Sequence, residues 1–243
     1  PGLPGEAPVL ASPGLPEDQA RAANAAIPFV PGPHPAAAPF RFRGTAEDRA
    51  RATECLALAA MAEAGPSDQG QRAVIQVVLN RVRHPAFADT VCGVVFEGAE
   101  RQTGCQFSFT CDGSLARRYG EPAWLASRRR AEEALGGRVY APVGTATHYH
   151  TDWVFPYWSP KLDKIAQVET HLFLRWPGYW RTRTAFSRVY SGGEPDPLSL
   201  SGSASEEPPA VEPSATPTVA PGAPAISGGE LVMRELKKLD KVA

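Results

Sequence analysis

Residues 45–66 read TAEDRARATECLALAAMAEAGP, and the caps at the two ends of this stretch decide how the chain folds. Thr45 supplies a capping hydroxyl, Glu47 and Asp48 place acids in the first turn, and Cys55, Leu58, Ala59 and Ala62 recur at helical spacing. Gly65-Pro66 stops the helix. Glu63 therefore falls in the last turn, where the negative end of the helix dipole disfavours an ionised carboxylate. A raised pKa is the expectation.

Working outward, residues 69–83, QGQRAVIQVVLNRVR, carry Val74, Val77, Val78 and Val82 on one helical face and end at His84-Pro85, because proline disfavours helical geometry in the residue before it. The spacing predicts a core helix behind Glu63. Its β-branched content makes a strand the alternative, and Asn80 and Arg81 read as polar positions near its end. Gln106 and Ser108 then alternate with Phe107 and Phe109, the period of a strand or extended loop that buries two phenyl rings and offers an amide and a hydroxyl on the other side. His148-Tyr149-His150 alternates in the same way, placing both imidazoles on one face and the phenol on the other. Three readings of the histidine pair stand open: zinc ligands with His171 or Asp152, a structural hydrogen-bonded pair, or cleft residues beside Glu63. A further helix is expected from Glu121-Pro122 to Leu135, closed by Gly136-Gly137. Its Arg128-Arg129-Arg130 run reads as a solvated face, with contact to anionic groups of a partner as the alternative. Trp153, Phe155, Tyr157 and Trp158 make either a core edge or a stacking platform for sugars, with core the simpler reading.

Of 25 prolines, 18 fall before residue 41 or after residue 190, so composition separates a structured middle from two tails that pack poorly. The divisions expected are a Pro/Ala-rich segment over 1–44, one domain over 45–190, a Ser/Pro/Ala linker over 191–229, and a short amphipathic helix or frayed end over 230–243. All five tryptophans lie in the domain, which is long enough for one sizeable core. Its 18 Lys+Arg against 15 Asp+Glu suit an acidic polymer only weakly and give no footprint for nucleic acid. Cys55, Cys92, Cys105 and Cys111 allow three pairings. At least one bridge is expected, among Cys92, Cys105 and Cys111, with Cys55 either bridged or buried as a thiol. The sequence has no Cys-x-x-Cys pair and no apolar stretch long enough to span a membrane. Beginning at Pro1, it leaves room for an export signal removed or omitted.

Four separated pieces, Ala62-Glu63-Ala64, Val77-Val78-Leu79-Asn80-Arg81-Val82, Cys105-Gln106-Phe107-Ser108-Phe109 and Ala146-Thr147-His148-Tyr149-His150, occur in the order found in the spore-cortex-lytic type of bacterial cell-wall hydrolase. The chain resembles that family over roughly residues 45–188. It departs where the family usually writes Glu-Ala-Arg-Gly-Glu-Pro, since Glu63-Ala64-Gly65-Pro66-Ser67 lacks the second glutamate. The resemblance implies an α+β fold, a mainly helical lysozyme-like domain with a small β region, flanked by disordered Pro-rich tails. It implies cleavage of peptidoglycan between N-acetylmuramic acid and N-acetylglucosamine, as a lytic transglycosylase with Glu63 as acid and base and no cofactor or metal. Gln106, Phe107, Ser108, His148, Tyr149 and His150 become substrate-binding candidates on the same ground. The location implied is periplasmic or extracellular, associated with the wall.

The position fits a glycosidic general acid, which must still hold a proton near neutral pH, but a glutamate near a helix end is also read as a solvated bystander, and it is the resemblance that favours the acid role. A two-carboxylate glycosidase needs a second acid, and Asp68, Asp112 and Asp152 are the candidates. Two other classes remain: a zinc amidase or peptidase acting through His148, His150 and a carboxylate, and a non-catalytic wall-binding module whose C-terminal tail docks a protein partner.

Overall fold

The computed structural model describes residues 14–32, 34–101 and 105–200, together with the backbone of 226–227. The amphipathic helix read over 230–243 lies outside the described residues. In chain order the elements are α1 (Glu17–Ala26), α2 (Ala46–Ala64), α3 (Asp68–Arg83), α4 (Val91–Val95), β1 (Arg118–Tyr119), α5 (Glu121–Leu135), β2 (His148–Thr151), β3 (Asp163–Val168), β4 (His171–Arg175), α6 (Pro197–Leu200) and β5 (Ile226–Ser227). The fold is α+β and mainly helical, as the motif order implied.

Capping fixes α2 as its sequence dictates. The Thr45 hydroxyl accepts from the Asp48 amide at 3.0 Å, and the Asp48 carboxylate accepts from the Thr45 amide at 2.8 Å. At the other end Gly65 takes φ +54° and returns its N–H to the Met61 carbonyl. Helix α3 begins on the Ser67 hydroxyl, which accepts from the Gly70 amide, and stops at an extended His84 before Pro85. This β-branched run is thus helical, because its apolar residues contact neighbours on two sides. Val74, Ile75, Val78, Leu79 and Val82 join the main core with α2, α4 and α5. Ala73 and Val77 join a second cluster with Val143, Ala146, Ile165, Val168 and Phe173.

Small residues let the helices approach. Ala57, Ala59 and Ala60 are fully buried on α2, and the Ser127 hydroxyl of α5 donates to the Ala57 carbonyl at 3.0 Å. Leu56, Leu79 and Leu135 fill the remaining volume; truncating any one to alanine should cost about 2–5 kcal/mol. Arg128 pairs with the buried Glu54 at 2.6 Å, and Arg130 pairs with Asp68 at 2.6 Å. The expected solvated arginine face is therefore corrected: only Arg129 of the three is exposed.

The three-stranded sheet has the order β2-β4-β3, all antiparallel, with Tyr149 opposite Phe173 and His148 opposite Leu174. A register shift between Lys164 and Ala166 bends β3. Both cysteine pairs are bridged, Cys55 with Cys92 and Cys105 with Cys111. One bridge falls within the trio expected, whereas Cys92 joins Cys55, for which a buried thiol was the alternative, and so ties α2 to α4.

Packing reaches further toward both ends than composition indicated. Asn24 of α1 is buried and donates to the Asp152 and Val154 carbonyls at 2.7 and 2.9 Å, while Lys164 donates to the Asn24 carbonyl at 2.7 Å. Phe40 is buried against Tyr190. Beyond residue 190, Glu194 is buried, and its two carboxylate oxygens accept from the Val91 and Cys92 amides at 2.8 Å each. Its own amide donates to Asp48 at 2.8 Å. A proline-rich average does not register single side chains that cap a helix or fill a groove, which is why this packing was not foreseen.

Candidate active site

The end of α2, the start of β2 and the 105–114 loop converge on Glu63. The Tyr149 hydroxyl donates to Glu63 Oε2 at 3.0 Å, across 86 residues of sequence. Burial pushes the Glu63 carboxyl up; the Tyr149 hydrogen bond and the positive charge of Arg81 oppose this, and the negative charge of Asp112 adds to it, with a net rise. The direction agrees with expectation, but the leading physical cause is desolvation rather than the helix dipole. Glu63 as a residue is only partly buried. Burial likewise holds the Tyr149 phenol well above its ordinary range, with Glu63 adding to the rise. Tyr149 is therefore a lasting donor at neutral pH.

Arg81 organises the floor of the site. It is buried, and its Nε donates to the Thr147 carbonyl at 2.7 Å, fixing the entry to β2. The guanidinium lies 5.3 Å from the ring centroids of both Phe87 and Phe107. With the Gln106 amide turned to satisfy both partners, its oxygen accepts from the two terminal guanidinium nitrogens at 3.1 and 3.3 Å. Asn80 donates to the Gly144 and Ala146 carbonyls at 3.0 and 2.8 Å, and itself accepts from Gln76 at 3.0 Å. These polar side chains continue the sheet-facing stripe of Ala73 and Val77 at helical spacing. That continuation was the available signal that Asn80 and Arg81 are not ordinary polar positions.

The other residues separate. Phe107 and Phe109 are buried and Ser108 is exposed, as alternation predicted, but the segment is an extended residue followed by a 3-10 turn rather than a strand. Phe107 forms the wall beneath Arg81 rather than a sugar-facing surface. Ser108 and Ser114 hydrogen bonds to Asp112, against an opposing effect of burial, hold that carboxyl below its usual range. Tyr119, which the sequence did not single out, is buried nearby, and burial raises its phenol, with Glu63 contributing.

The two histidines are not brought to Glu63. Alternation turns them to the face of β2 opposite Tyr149, where His148 lies against Trp158 and Trp176, and His150 Nε2 sits 3.1 Å from the Ser159 hydroxyl. Burial, with Arg81 and His84 nearby, pushes His148 down to about 3, so it is neutral near pH 7. His171 lies on the Tyr149 side, 5.6 Å from that ring, and Asp152 is held by Arg21. The ligand set imagined for zinc is thus split between two faces. Among the described residues, no three His, Cys, Asp or Glu side chains are placed to hold a metal. Of the candidate second carboxylates, Asp68 is engaged by Arg72 and Arg130. Asp112 is the one whose charge acts on Glu63.

The cell wall hydrolase family model matches residues 65–174, a span that begins just past Glu63 and contains Arg81, Gln106 and Tyr149. Over those residues the chain is similar to a cell wall hydrolase domain. Its domain is 31% identical over 114 residues to a spore cortex-lytic enzyme of Oceanobacillus iheyensis, covering 46% of this chain and 36% of that protein. A spore cortex-lytic enzyme of Halalkalibacterium halodurans is 34% identical over 105 residues, covering 43% and 28%. The chain therefore spans about a third of the length of the curated relatives it matches. The crystal structure of the catalytic domain of the Bacillus cereus SleB protein superposes with a TM-score of 0.42 at 25% identity, covering 56% of this chain and 95% of that one. The catalytic domain of the germination-specific lytic transglycosylase SleB from Bacillus anthracis gives 0.40 at 26% identity, covering 54% and 96%. No helix among the described residues is long and apolar enough to cross a membrane.

Proposed function

We propose that the cell wall hydrolase domain cleaves the glycan strand of peptidoglycan between N-acetylmuramic acid and N-acetylglucosamine, with Glu63 as the acid and then the base. The observation that carries this reading is the Glu63 carboxyl, whose hold on its proton burial strengthens while Tyr149 donates to one of its oxygens. Tyr149 occupies Oε2, so the proton sits on Oε1 and goes to the glycosidic oxygen as its bond to the anomeric carbon breaks. The 6-hydroxyl of the same muramic residue then attacks that carbon and returns its proton to Glu63. A 1,6-anhydro ring forms and Glu63 is regenerated. Tethering the nucleophile to the reacting ring supplies proximity without a bound water, which suits a site lacking the family's usual second glutamate. Two disulfides accord with an exported protein working at the wall.

Mass spectrometry of digested wall tests this. Fragments should end in 1,6-anhydro-N-acetylmuramic acid, lighter by one water than hydrolysed ends, and digestion should persist in EDTA. A second outcome has its own basis, since the Asp112 charge reaches Glu63: reducing muramic ends abolished by Asp112→Asn would make the domain a two-carboxylate hydrolase. Cleaved peptide stems with intact glycan would sink both.

A further inference from the structure

About half of the arginines among the described residues are neutralised. Arg21, Arg51, Arg72, Arg128, Arg130, Arg138, Arg175 and Arg181 each lie within ion-pair distance of a carboxylate. The groove lined by Arg72, Arg130 and Arg138, about 300 Å³, also contains Asp68, and Glu133 engages two of its arginines. A second groove, about 250 Å³, is different. It runs between residues 38–43 and 186–190, is lined by Arg41, Arg43, Arg83 and Arg188, and has no Asp or Glu in its lining. Among the described residues none of these four makes an ion pair. Among the described residues the half-buried Arg83 side chain donates only to the Ala38 and Phe186 carbonyls, and the Arg188 side chain only to those of Phe87 and Pro85. Arg41 and Arg43 stand exposed at the rim.

Four guanidinium groups in one groove repel one another, and two are already oriented by backbone carbonyls, so the groove is pre-organised for a planar anion. Between the charges the surface is apolar, with Phe40 and Phe186 at its base and Val189 64% exposed. Arg83 follows Arg81 by two residues, which at 3.6 residues per turn sets it on the opposite face of α3: Arg81 reaches Thr147 beside the Glu63 site, whereas Arg83 reaches Ala38 and Phe186 in the groove. It is not part of the cleft.

We propose that this groove binds the carboxylates of peptidoglycan peptide stems, forming a second contact with the wall away from the reacting bond. The proposal rests on the wall-cleaving reading in its choice of polymer. A strand seated at Glu63 carries further stems along its length, and a stem offers what the groove lacks: carboxylates for the guanidinium forks and small methyl-bearing residues for the apolar base. The contact would keep the enzyme on insoluble wall without adding to the chemical step.

The test uses the full chain carrying Glu63→Gln, so that the wall is not digested, and measures co-sedimentation with purified peptidoglycan freed of attached phosphate polymers. Arg41→Ser/Arg43→Ser should bind roughly three- to tenfold more weakly, the loss expected for exposed charge contacts. Converting the stem carboxylates to amides should bring the parent down to the same level and leave the double variant unchanged. Val189→Glu, which sets a carboxylate in the groove, should weaken binding similarly and guards against a fold defect in the double variant. Equal binding of parent and both variants would overturn the proposal, as would a difference that appears only on wall retaining its phosphate polymers. Cleavage of stem-free soluble glycan by the double variant in an otherwise wild-type chain should be unchanged. If the wild-type chain itself fails to cleave that glycan, the catalytic reading fails, and the binding comparison still decides the groove.

Discussion

The Tyr149 hydroxyl donates to Glu63 Oε2 at 3.0 Å, although α2 and β2 have no local reason to meet. The contact exists because Arg81 and Asn80 grip the backbone just before β2, at Thr147 and at Gly144 and Ala146. It selects which oxygen is free for substrate. Because this hydrogen bond favours the ionised carboxylate, it partly offsets the rise that burial imposes on Glu63.

Tyr149→Phe should therefore raise the Glu63 pKa further. A general acid works only while protonated, so activity falls as pH rises through its pKa. The descending limb of the pH–rate profile should move to higher pH, with kcat lower by about ten- to a hundredfold, the worth of one hydrogen bond to a charged group. A profile unmoved on that limb would mean that Tyr149 does not act on Glu63.

Glu63→Gln should abolish wall lysis, a loss of roughly a hundred- to ten-thousandfold for general acid–base help, and should also stabilise the fold near neutral pH. The sign follows from linkage. The folded-state pKa is raised, so the neutral carboxyl stabilises the fold fully below the ordinary carboxylate range, and that stability is lost as pH rises through the folded value. The amide cannot ionise and keeps an acceptor for Tyr149. Thermal melts of the two proteins should coincide at low pH and separate, with the variant higher, by pH 7. A variant that is inactive and also less stable at pH 7 would point to a structural role for the glutamate.

Much of this site was legible because it depends on local rules. Thr45, Asp48, Gly65 and Pro66 bound α2 by capping chemistry alone, which places Glu63 in the final turn, and alternation places Tyr149 opposite the two histidines. Which face of β2 would meet Glu63 was not legible, since that is set by the pairing of β2 with β4 and by Arg81, both long-range. Arg81 itself looked like a helix-end cation. Its burial depends on Phe87, from the connection between α3 and α4, and on Gln106 and Phe107, from the loop after α4, and neither segment's sequence fixes its shape. The extent of the packed unit was hidden for a related reason: Asn24 and Glu194 act singly, within segments whose composition is otherwise that of tails.

The Cys55–Cys92 bridge, 37 residues apart in sequence, joins α2 to the five-residue α4, which is too short to persist alone. Closing a loop of that length removes unfolded-state entropy worth about 4 kcal/mol in the chain-entropy model. Cys55→Ala/Cys92→Ala should lower Tm by roughly 10 °C. Cys105→Ser/Cys111→Ser, whose bridge spans only 6 residues, should lower it less. Non-reducing peptide mapping of protein from an oxidising compartment should recover both pairs. Four free thiols there would contradict both the bridges and export.

Where the packed unit ends can be decided by two truncations. Ending the chain after residue 190 removes Glu194, leaving the Val91 and Cys92 amides without their acceptors and one Asp48 oxygen without its donor, all in buried surroundings. Unsatisfied buried groups cost about 1–3 kcal/mol each, so the shorter chain should lose roughly 3 kcal/mol or more in denaturant unfolding. Ending it after residue 200 keeps these bonds, and also keeps Leu200, which lies against the main core, while giving up the two-residue pairing of β5 with β1; it should lose much less stability than the shorter chain and keep its activity on soluble glycan. Glu194→Ala in the full chain separates the carboxylate from the loss of chain length. It should account for most of the difference between the truncations, because α4 then starts without the carboxylate that binds two of its N-terminal amides. If both truncations match the full chain, Glu194 is dispensable and the boundary belongs near residue 190, where composition alone would set it.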